Sequence, residues 1–429
     1  MQHAIINDIF IRMKKIIIPY KWELIILLWF AFFFNQADRQ IFNIVLPSIR
    51  DDLGLTDASM GLVASVFTLF YGIMVPVGGF LGDRLNKKYI LILSLLVWSM
   101  ATLITGLSST LVHLIILRSF ALGGGEAFYT PSASALICEY HQKTRSLALS
   151  VHQTAVYAGI IGSSFLTGLI AEAFGWRSAF YLFGGLGIVL AIIIWFRLKN
   201  SLVMNIEKPV PESKNIRDVL KLFLSKPTAI LLTLAFAGMQ FTGIGFLTWM
   251  PTFLHEKYSF SLARAGFDST FYHHVAAFIG VLIGARIADN LAQKYSGIRG
   301  FVQMTGLLMA IPFIIIIGRS DSLLIIYSAL AIFGFSRGFY DSNLLAALYD
   351  VIEGPYRSTA TGFLLMFGFI VAASSPYILG VIKPLFGLAD GLAFLSVGFI
   401  FSSACIAIAL IFFYRKDSIS PSSDCIRSV

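Results

Sequence analysis

Seven ionisable side chains interrupt long apolar runs: Asp38, Arg39, Arg118, Glu126, Arg286, Arg337 and Asp341. A charge near the centre of a membrane helix costs about 2.5–3.5 kcal/mol, so each needs a partner or a wet cavity. Asp38 and Arg39 are adjacent, and neighbours on a helix point about 100° apart, so they can serve two different partners. Glu126 is flanked by Gly123, Gly124, Gly125 and Ala127, small residues that let helices approach or leave room beside the carboxyl. Burial favours a protonated carboxyl and a nearby arginine an ionised one. A group held between those influences can take a proton on one side of a membrane and release it on the other. Glu126 is therefore the expected proton carrier, with Asp38 its partner. The plainer alternative is that Asp38 only neutralises Arg118 and bolts two helices together. Arg118 and Glu126 are eight residues apart, roughly 12 Å along a helix, too far to bond directly.

Arg337 and Asp341 are four apart and can pair along one helix face, as a structural pair or with Arg337 turned to a ligand. Asn343, His152, Gln153, Tyr157, Gln240 and Thr242 are polar groups at membrane depth. They suit a hydroxylated ligand, although such groups commonly make helix–helix hydrogen bonds. His273 and His274 are adjacent and cannot both face one metal from a regular helix, so no metal site is expected. Cys138, Cys405 and Cys425 have neither metal nor disulfide spacing. No phosphate-binding loop or catalytic triad is present, so no catalytic function and no cofactor is assigned.

These residues must be held by membrane helices. Of 429 residues 57% are hydrophobic and 13% charged, and mean hydropathy is +0.81. Soluble domains carry about 25% charge, so lipid is the solvent here. Twelve runs are long enough to span: about 23–47, 58–82, 89–108, 111–137, 145–171, 177–197, 228–254, 264–288, 300–318, 322–348, 358–382 and 389–414. The expected organisation is an N-terminal six-helix bundle over 1–197, a cytoplasmic linker over 198–227, a C-terminal bundle over 228–414 and a tail over 415–429. With the N-terminus inside, inner segments hold 22 of the 32 Lys and Arg and outer loops hold six. That bias puts both termini in the cytoplasm. The net charge of +9 is thus a topology signal, which argues against a nucleic-acid partner. The first apolar run lacks a short cleavable core and reads as a retained span.

The halves repeat. Residues 75–89 (VPVGGFLGDRLNKKY) match 281–295 (VLIGARIADNLAQKY), aligning Gly78 with Gly284 and Asp83 with Asp289. Pro47 matches Pro251. Gly123-x-x-Glu126-Ala-Phe128-Tyr129 matches Gly334-x-x-Arg337-Gly-Phe339-Tyr340, placing opposite charges at equivalent positions, where they could face each other across the axis between halves.

The stretch Gly79-Phe80-Leu81-Gly82-Asp83-Arg84-Leu85-Asn86-Lys87-Lys88 resembles the loop signature of the major facilitator superfamily, departing at Asn86 where Gly is usual. Asn35-x-x-Asp38-Arg39, Arg118 with Gly123-x-Gly125-Glu126-Ala127, Trp249-Met250-Pro251-Thr252-Phe253-Leu254 and Phe174-Gly175-Trp176-Arg177 resemble motifs of its anion:cation symporters. Spinster-like lipid transporters share the Asn35-x-x-Asp38-Arg39 pattern and Gly125-Glu126-Ala127-x-Tyr129. The resemblance implies an all-α membrane protein of twelve helices in two pseudo-symmetric six-helix bundles. It implies a gate from Gly79, Asp83, Arg84 and Lys88, repeated by Arg286 and Asp289. It also implies that Arg39 clamps an anionic substrate, though a structural pair with Glu126 or Asp38 is the alternative. The expected function is proton-coupled symport of a small organic anion such as a sugar acid, by a monomer in a bacterial inner membrane. The rivals are a transporter of lysolipids and a ligand sensor that moves nothing.

Overall fold

The computed structural model describes residues 19–199, 216–292 and 294–419. Arg12, Lys14 and Lys15, most of the linker and the end of the tail lie outside them. Every spanning element described is a helix, the form in which an isolated chain segment satisfies its own backbone in lipid. The first half runs α1 (Tyr20–Asp52), α2 (Asp57–Arg84), α3 (Lys87–Thr105), α4 (Leu111–Tyr140), α5 (Arg145–Phe174) and α6 (Trp176–Arg197). The second runs α7 (Pro227–Tyr258), α8 (Leu262–Ala292), α9 (Ile298–Arg319) and α10 (Leu323–Tyr349). Its last apolar stretch, Thr359–Asp417, is two helices, α11 and α12, parted at Gly387. A short helix, Ile216–Leu224, precedes α7.

Local chemistry sets the breaks. Gly175 (φ 82°) parts α5 from α6 and Gly387 (φ 79°) parts α11 from α12. Both follow a phenylalanine at equivalent corners, and both need the left-handed conformation that glycine adopts without steric cost. Thr56 caps α2 by accepting from Ser59 N at 3.1 Å. Asn86 caps α3 by accepting from Lys88 N at 3.0 Å, which accounts for Asn where the resembled signature has Gly. At the other end of the chain, the Asp417 carboxylate accepts from Thr228 N at 2.8 Å and caps α7.

Within the first half α1 packs on α5 and α3 on α6; within the second α8 packs on α10 and α7 on α12. The repeated glycines do the same work in each half. A Cβ on Gly78 would stand 3.0 Å from Phe128 Cα, and one on Gly284 2.9 Å from Phe339 Cα. Phe128 and Phe339 are themselves equivalent, so this pseudo-symmetry holds at atomic contacts. Large apolar side chains such as Ile192, Trp195, Leu282 and Phe401 are exposed on the outer surface, as lipid-facing residues should be.

The halves meet along α5–α8 and α2–α11. α2 and α11 touch at the end away from the termini, the far end: Gly61 lies against the Pro376 carbonyl and Gly380 against the Asp57 backbone. Toward the near end they part, and Gly79 and Gly362 face open space. The pair therefore forms a wedge, closed at the far end.

Candidate functional site

Inside the wedge lies a cavity of about 280 Å³ lined by both halves. α1 contributes Gln36, Arg39, Gln40 and Asn43; α2 contributes Phe67, Thr68 and Tyr71; α4 contributes Arg118. The facing wall carries Gln240, Gly243 and Thr248 of α7, Arg337 of α10 and Phe369 of α11. The polar residues of α1 follow i, i+4, i+7 spacing from Gln36, a hydrophilic stripe on an otherwise apolar helix.

Arg39 Nε donates to Glu126 Oε2 at 2.6 Å, joining α1 to α4. The Arg39 side chain is 21% exposed and the Glu126 side chain 0%. The arginine thus fronts the cavity and the carboxylate stands behind it. The Arg39 guanidinium also lies 4.2 Å from the centre of the Tyr71 ring. Arg118 Nη2 donates to the Arg39 carbonyl at 2.9 Å, and its guanidinium lies 4.5 Å from the Phe67 ring. Phe67 therefore stands between two cations whose charge its π-face accommodates. α4 reaches this geometry through a π-helical stretch, Ile115–Leu122, running into Gly123–Gly125. A Cβ at Gly123 would meet Phe67, at Gly124 Phe70 and at Gly125 Trp98. The glycine run is a packing device that lets α4 touch α2 and α3 at once.

In the second half Arg337 Nε lies 3.4 Å from Asp341 Oδ2, the i,i+4 pair expected from spacing. The ion-pair partner of Glu126 is Arg39 of the same half rather than Arg337. The Arg337 guanidinium instead rests against α7, where a Cβ on Gly243 would stand 3.0 Å from Nη1.

Of the residues expected to touch ligand, Arg39, Gln240 and Arg337 line the cavity. Five expected there are placed elsewhere. His152 Nε2 lies 3.0 Å from Tyr129 Oη, which donates to the Leu28 carbonyl, and its ring stacks on Phe32. It pins α5 to α4 and α1. Gln153 is exposed one position further round the helix. Tyr157 packs against His274 and Phe278 in the α5–α8 seam. Asn343 fills the break in α10, its Nδ2 donating to the Phe339 carbonyl and to Ser342. Thr242 bonds the Gly238 and Leu395 carbonyls. Gln36, Gln40, Asn43, Thr68, Tyr71 and Thr248 were not anticipated; the stripe on α1 was the available signal.

The near-end signature is only partly engaged. The Asp83 side chain lies outside the described residues. Arg84 is exposed with its guanidinium 3.9 Å over the Phe80 ring, and Arg286 is exposed. Gly79 has open space around it; the tight glycine is its neighbour Gly78. Asp289 lies 3.6 Å from Arg299, which also pairs with Asp350.

The far end is fastened. Arg50 Nη1 donates to Asp57 (2.8 Å) and Glu256 (2.9 Å), and Lys383 Nζ donates to the same two carboxylates (2.8 and 2.7 Å). Arg50 and Asp57 belong to the first half, Glu256 and Lys383 to the second, so this square of alternating charge spans the seam. Trp249 of the W-M-P-T-F-L stretch adds a bond from its indole to the Pro376 carbonyl at 3.0 Å. Trp176 and Arg177 of the F-G-W-R stretch both donate to Asp52, tying α6 to α1.

Two pseudo-symmetric helix bundles, a charged cavity between them and a fastened seam at one end are the architecture of a membrane transporter. The sequence profile described as Major Facilitator Superfamily matches residues 28–376, and the chain belongs to that superfamily. It is a multi-pass membrane transporter, not an enzyme. The chain is 28% identical over 385 residues to protein spinster homolog 1 of Xenopus tropicalis, covering 84% of this chain and 72% of that protein. It is 27% identical over 403 residues to the probable galactarate/D-glucarate transporter GudP of Bacillus subtilis (strain 168), covering 86% and 87%. Among solved structures it resembles a bacterial homologue of the human lysosomal transporter spinster, in an inward-facing and unoccupied conformation. The TM-score is 0.84 at 21% identity, covering 94% of this chain and all of that one, a likeness of fold.

Proposed function

We propose that the protein is a proton-coupled symporter of a small organic anion, with sugar acids as the first candidates, working by alternating access. The observation that carries this reading is the Arg39–Glu126 pair: a guanidinium facing the cavity, bonded to a carboxylate shut away behind it. Protonating Glu126 would free the Arg39 fork for a substrate carboxylate, and deprotonation would reclaim it. Binding of anion and of proton thereby favour one another. Gln36, Gln40, Asn43, Thr68, Gln240 and Thr248 supply hydrogen bonds suited to hydroxyls. Arg337 offers a second cation from the opposite wall. The relative named for galactarate and D-glucarate supports the same substrate class.

The near end is the cytoplasmic one, from the Lys and Arg bias of its loops, and the membrane is a bacterial inner membrane. The wedge then opens to the cytoplasm, and the charge square closes the outside. A screen of D-glucarate, galactarate, hexuronates and aldonates in proteoliposomes tests the proposal, with an inwardly directed pH gradient imposed. Accumulation of at least one acid, abolished by a protonophore, is expected. Uptake of none of them, or uptake indifferent to the gradient, would count against it.

A second reading has its own observation. An apolar groove of about 290 Å³ lies between α2, α3 and α4, lined by Leu81, Leu85, Leu93, Val97 and Phe128. It suits an acyl chain, as a transporter of amphiphiles would need, and the spinster relative favours it too. Competition by lysolipids for sugar-acid uptake would move the balance to this reading.

A further inference from the structure

The first half holds buried polar atoms that the Arg39–Glu126 bond leaves unused. Asn35, Asp38, Ser99, Thr102, Arg118 and Glu126 are each 3% exposed or less. Both Asp38 carboxylate oxygens, Glu126 Oε1, Asn35 Nδ2, Arg118 Nε and Nη1, and the Ser99 and Thr102 hydroxyls have no hydrogen-bond partner among the described residues. They are gathered in one place. Asp38 is in electrostatic reach of Glu126 and Arg118, and Thr102 faces its carboxyl. Asn35 precedes Asp38 by three residues on α1, and Ser99 precedes Thr102 by three on α3, so each pair shares a helix face. Gly187 of α6 leaves space for the Ser99 hydroxyl, which a Cβ there would strike.

The chemistry of these atoms identifies their common partner. A bound cation would satisfy the acceptors alone and would sit beside the Arg118 and Arg39 guanidiniums. The cluster mixes donors with acceptors, which water serves equally, typically making about three hydrogen bonds when buried.

We infer that a cluster of buried waters, held by Ser99, Thr102 and Asn35, joins the Asp38 and Glu126 carboxyls and carries protons between them. The inference deepens the proton-coupling reading above and rests on it for its physiological sense. The step balances without a co-reactant. The O–H bond of one carboxyl breaks as its proton passes to the adjacent water. That water releases one of its own protons onward, and the last water protonates the other carboxylate. One proton has moved, and every water is restored. Thr102 touches no substrate and acts through Asp38, so it is a positioning residue.

Infrared spectroscopy of the purified protein tests this without any substrate. Hydrogen–deuterium exchange and pH titration of the carboxyl C=O bands are followed, with Asp38→Asn and Glu126→Gln assigning the bands. Thr102→Val keeps the side-chain shape and removes the hydroxyl. It should slow exchange of the Asp38 band about tenfold or more and displace its titration midpoint, while Thr102→Ser restores both. Exchange and midpoint unchanged in Thr102→Val would overturn the inference. If that variant does not fold, Ser99→Ala provides the same comparison, and unchanged exchange there is equally fatal. Proteoliposome uptake separates the two proposals. Slowed exchange with no gradient-driven uptake in the wild type leaves the water path standing and removes the coupling reading; wild-type exchange in Thr102→Val with intact gradient-driven uptake does the reverse.

Discussion

In the first half, the cavity arginine comes from α1 and its carboxylate from α4. In the second half, the arginine comes from α10, the counterpart of α4, and its carboxylate sits one turn further along the same helix. Aligning Pro47 with Pro251, each eight residues beyond, puts Gly243 where the first half has Arg39. Arg337 reaches across and fills the space that an arginine side chain at 243 would have taken. Both halves thus place a guanidinium between their first and fourth helices, from opposite directions. The consequence differs. A bond between two helices changes how they pack when it breaks. A bond along one helix face has no such leverage, and exposed pairs of that kind are worth about 0.3–0.5 kcal/mol. The proposed coupling between proton and conformation is therefore assigned to the first half, with the second supplying an anchoring charge.

Removing one carboxylate from each half sharpens this contrast most. Glu126→Gln should abolish accumulation driven by a pH gradient while sparing counterflow exchange. Loss of a charged hydrogen bond of about 1.5–3 kcal/mol corresponds to a fall of tenfold to a hundredfold in coupled uptake. Asp341→Asn should cost less than about threefold, in line with an i,i+4 pair. Equal losses in gradient-driven uptake would erase the distinction between the halves. The arginines give the next largest effect. Arg39→Lys replaces a planar fork by a point charge and should weaken anion uptake by about tenfold, since lysine cannot make the bidentate contact. Arg337→Lys should raise KM for uptake by a smaller factor and leave the pH dependence unchanged. A pH profile altered by Arg337→Lys but not by Arg39→Lys would reverse the assignment.

Much of this was legible in the sequence for physical reasons. Charges inside apolar runs are so costly that they mark the site on their own, and Arg39, Arg118, Glu126 and Arg337 did gather at or behind one cavity. The repeat of Gly78 in Gly284 reported a real close contact in both halves. The i,i+4 rule found Arg337 with Asp341. His152, Gln153, Tyr157 and Asn343 were misplaced because polarity at membrane depth does not say which way a side chain points. Tyr129, one turn beyond Glu126, draws His152 away from the axis. The far-end square could not be read at all: Arg50, Asp57, Glu256 and Lys383 lie in ordinary loop-edge positions, and only the meeting of the halves makes them a unit.

That square bears on the comparison from the other side, because there the halves contribute equally, one cation and one anion each. Lys383→Gln should loosen the seam by about 1 kcal/mol, the upper range for a partly exposed pair. Labelling of a cysteine placed at Thr248 from the outside should then rise several-fold. Lys383→Gln and Arg50→Gln together should raise labelling by more than the two single effects combined, because each cation serves both carboxylates. A double variant no leakier than the two single effects combined would mean that the four charges do not act as one network.

The smallest effect is expected at Gly243, and it examines the central asymmetry directly. Gly243→Ala puts a methyl group 3.0 Å from Arg337 Nη1, closer than a carbon and a guanidinium nitrogen comfortably sit. The guanidinium is the far end of a flexible side chain and can retreat by a few tenths of an ångström, so folding should survive. The retreat moves the charge away from the cavity, and KM for the anion should rise by about twofold to threefold, less than 1 kcal/mol. Because the proposed proton machinery lies in the other half, the pH profile should stay where it is. The first half offers no matching glycine to alter, since Arg39 stands at the equivalent place. A Gly243→Ala variant with altered coupling would show that Arg337 takes part in proton movement, and that the halves divide the work less sharply than their geometry indicates.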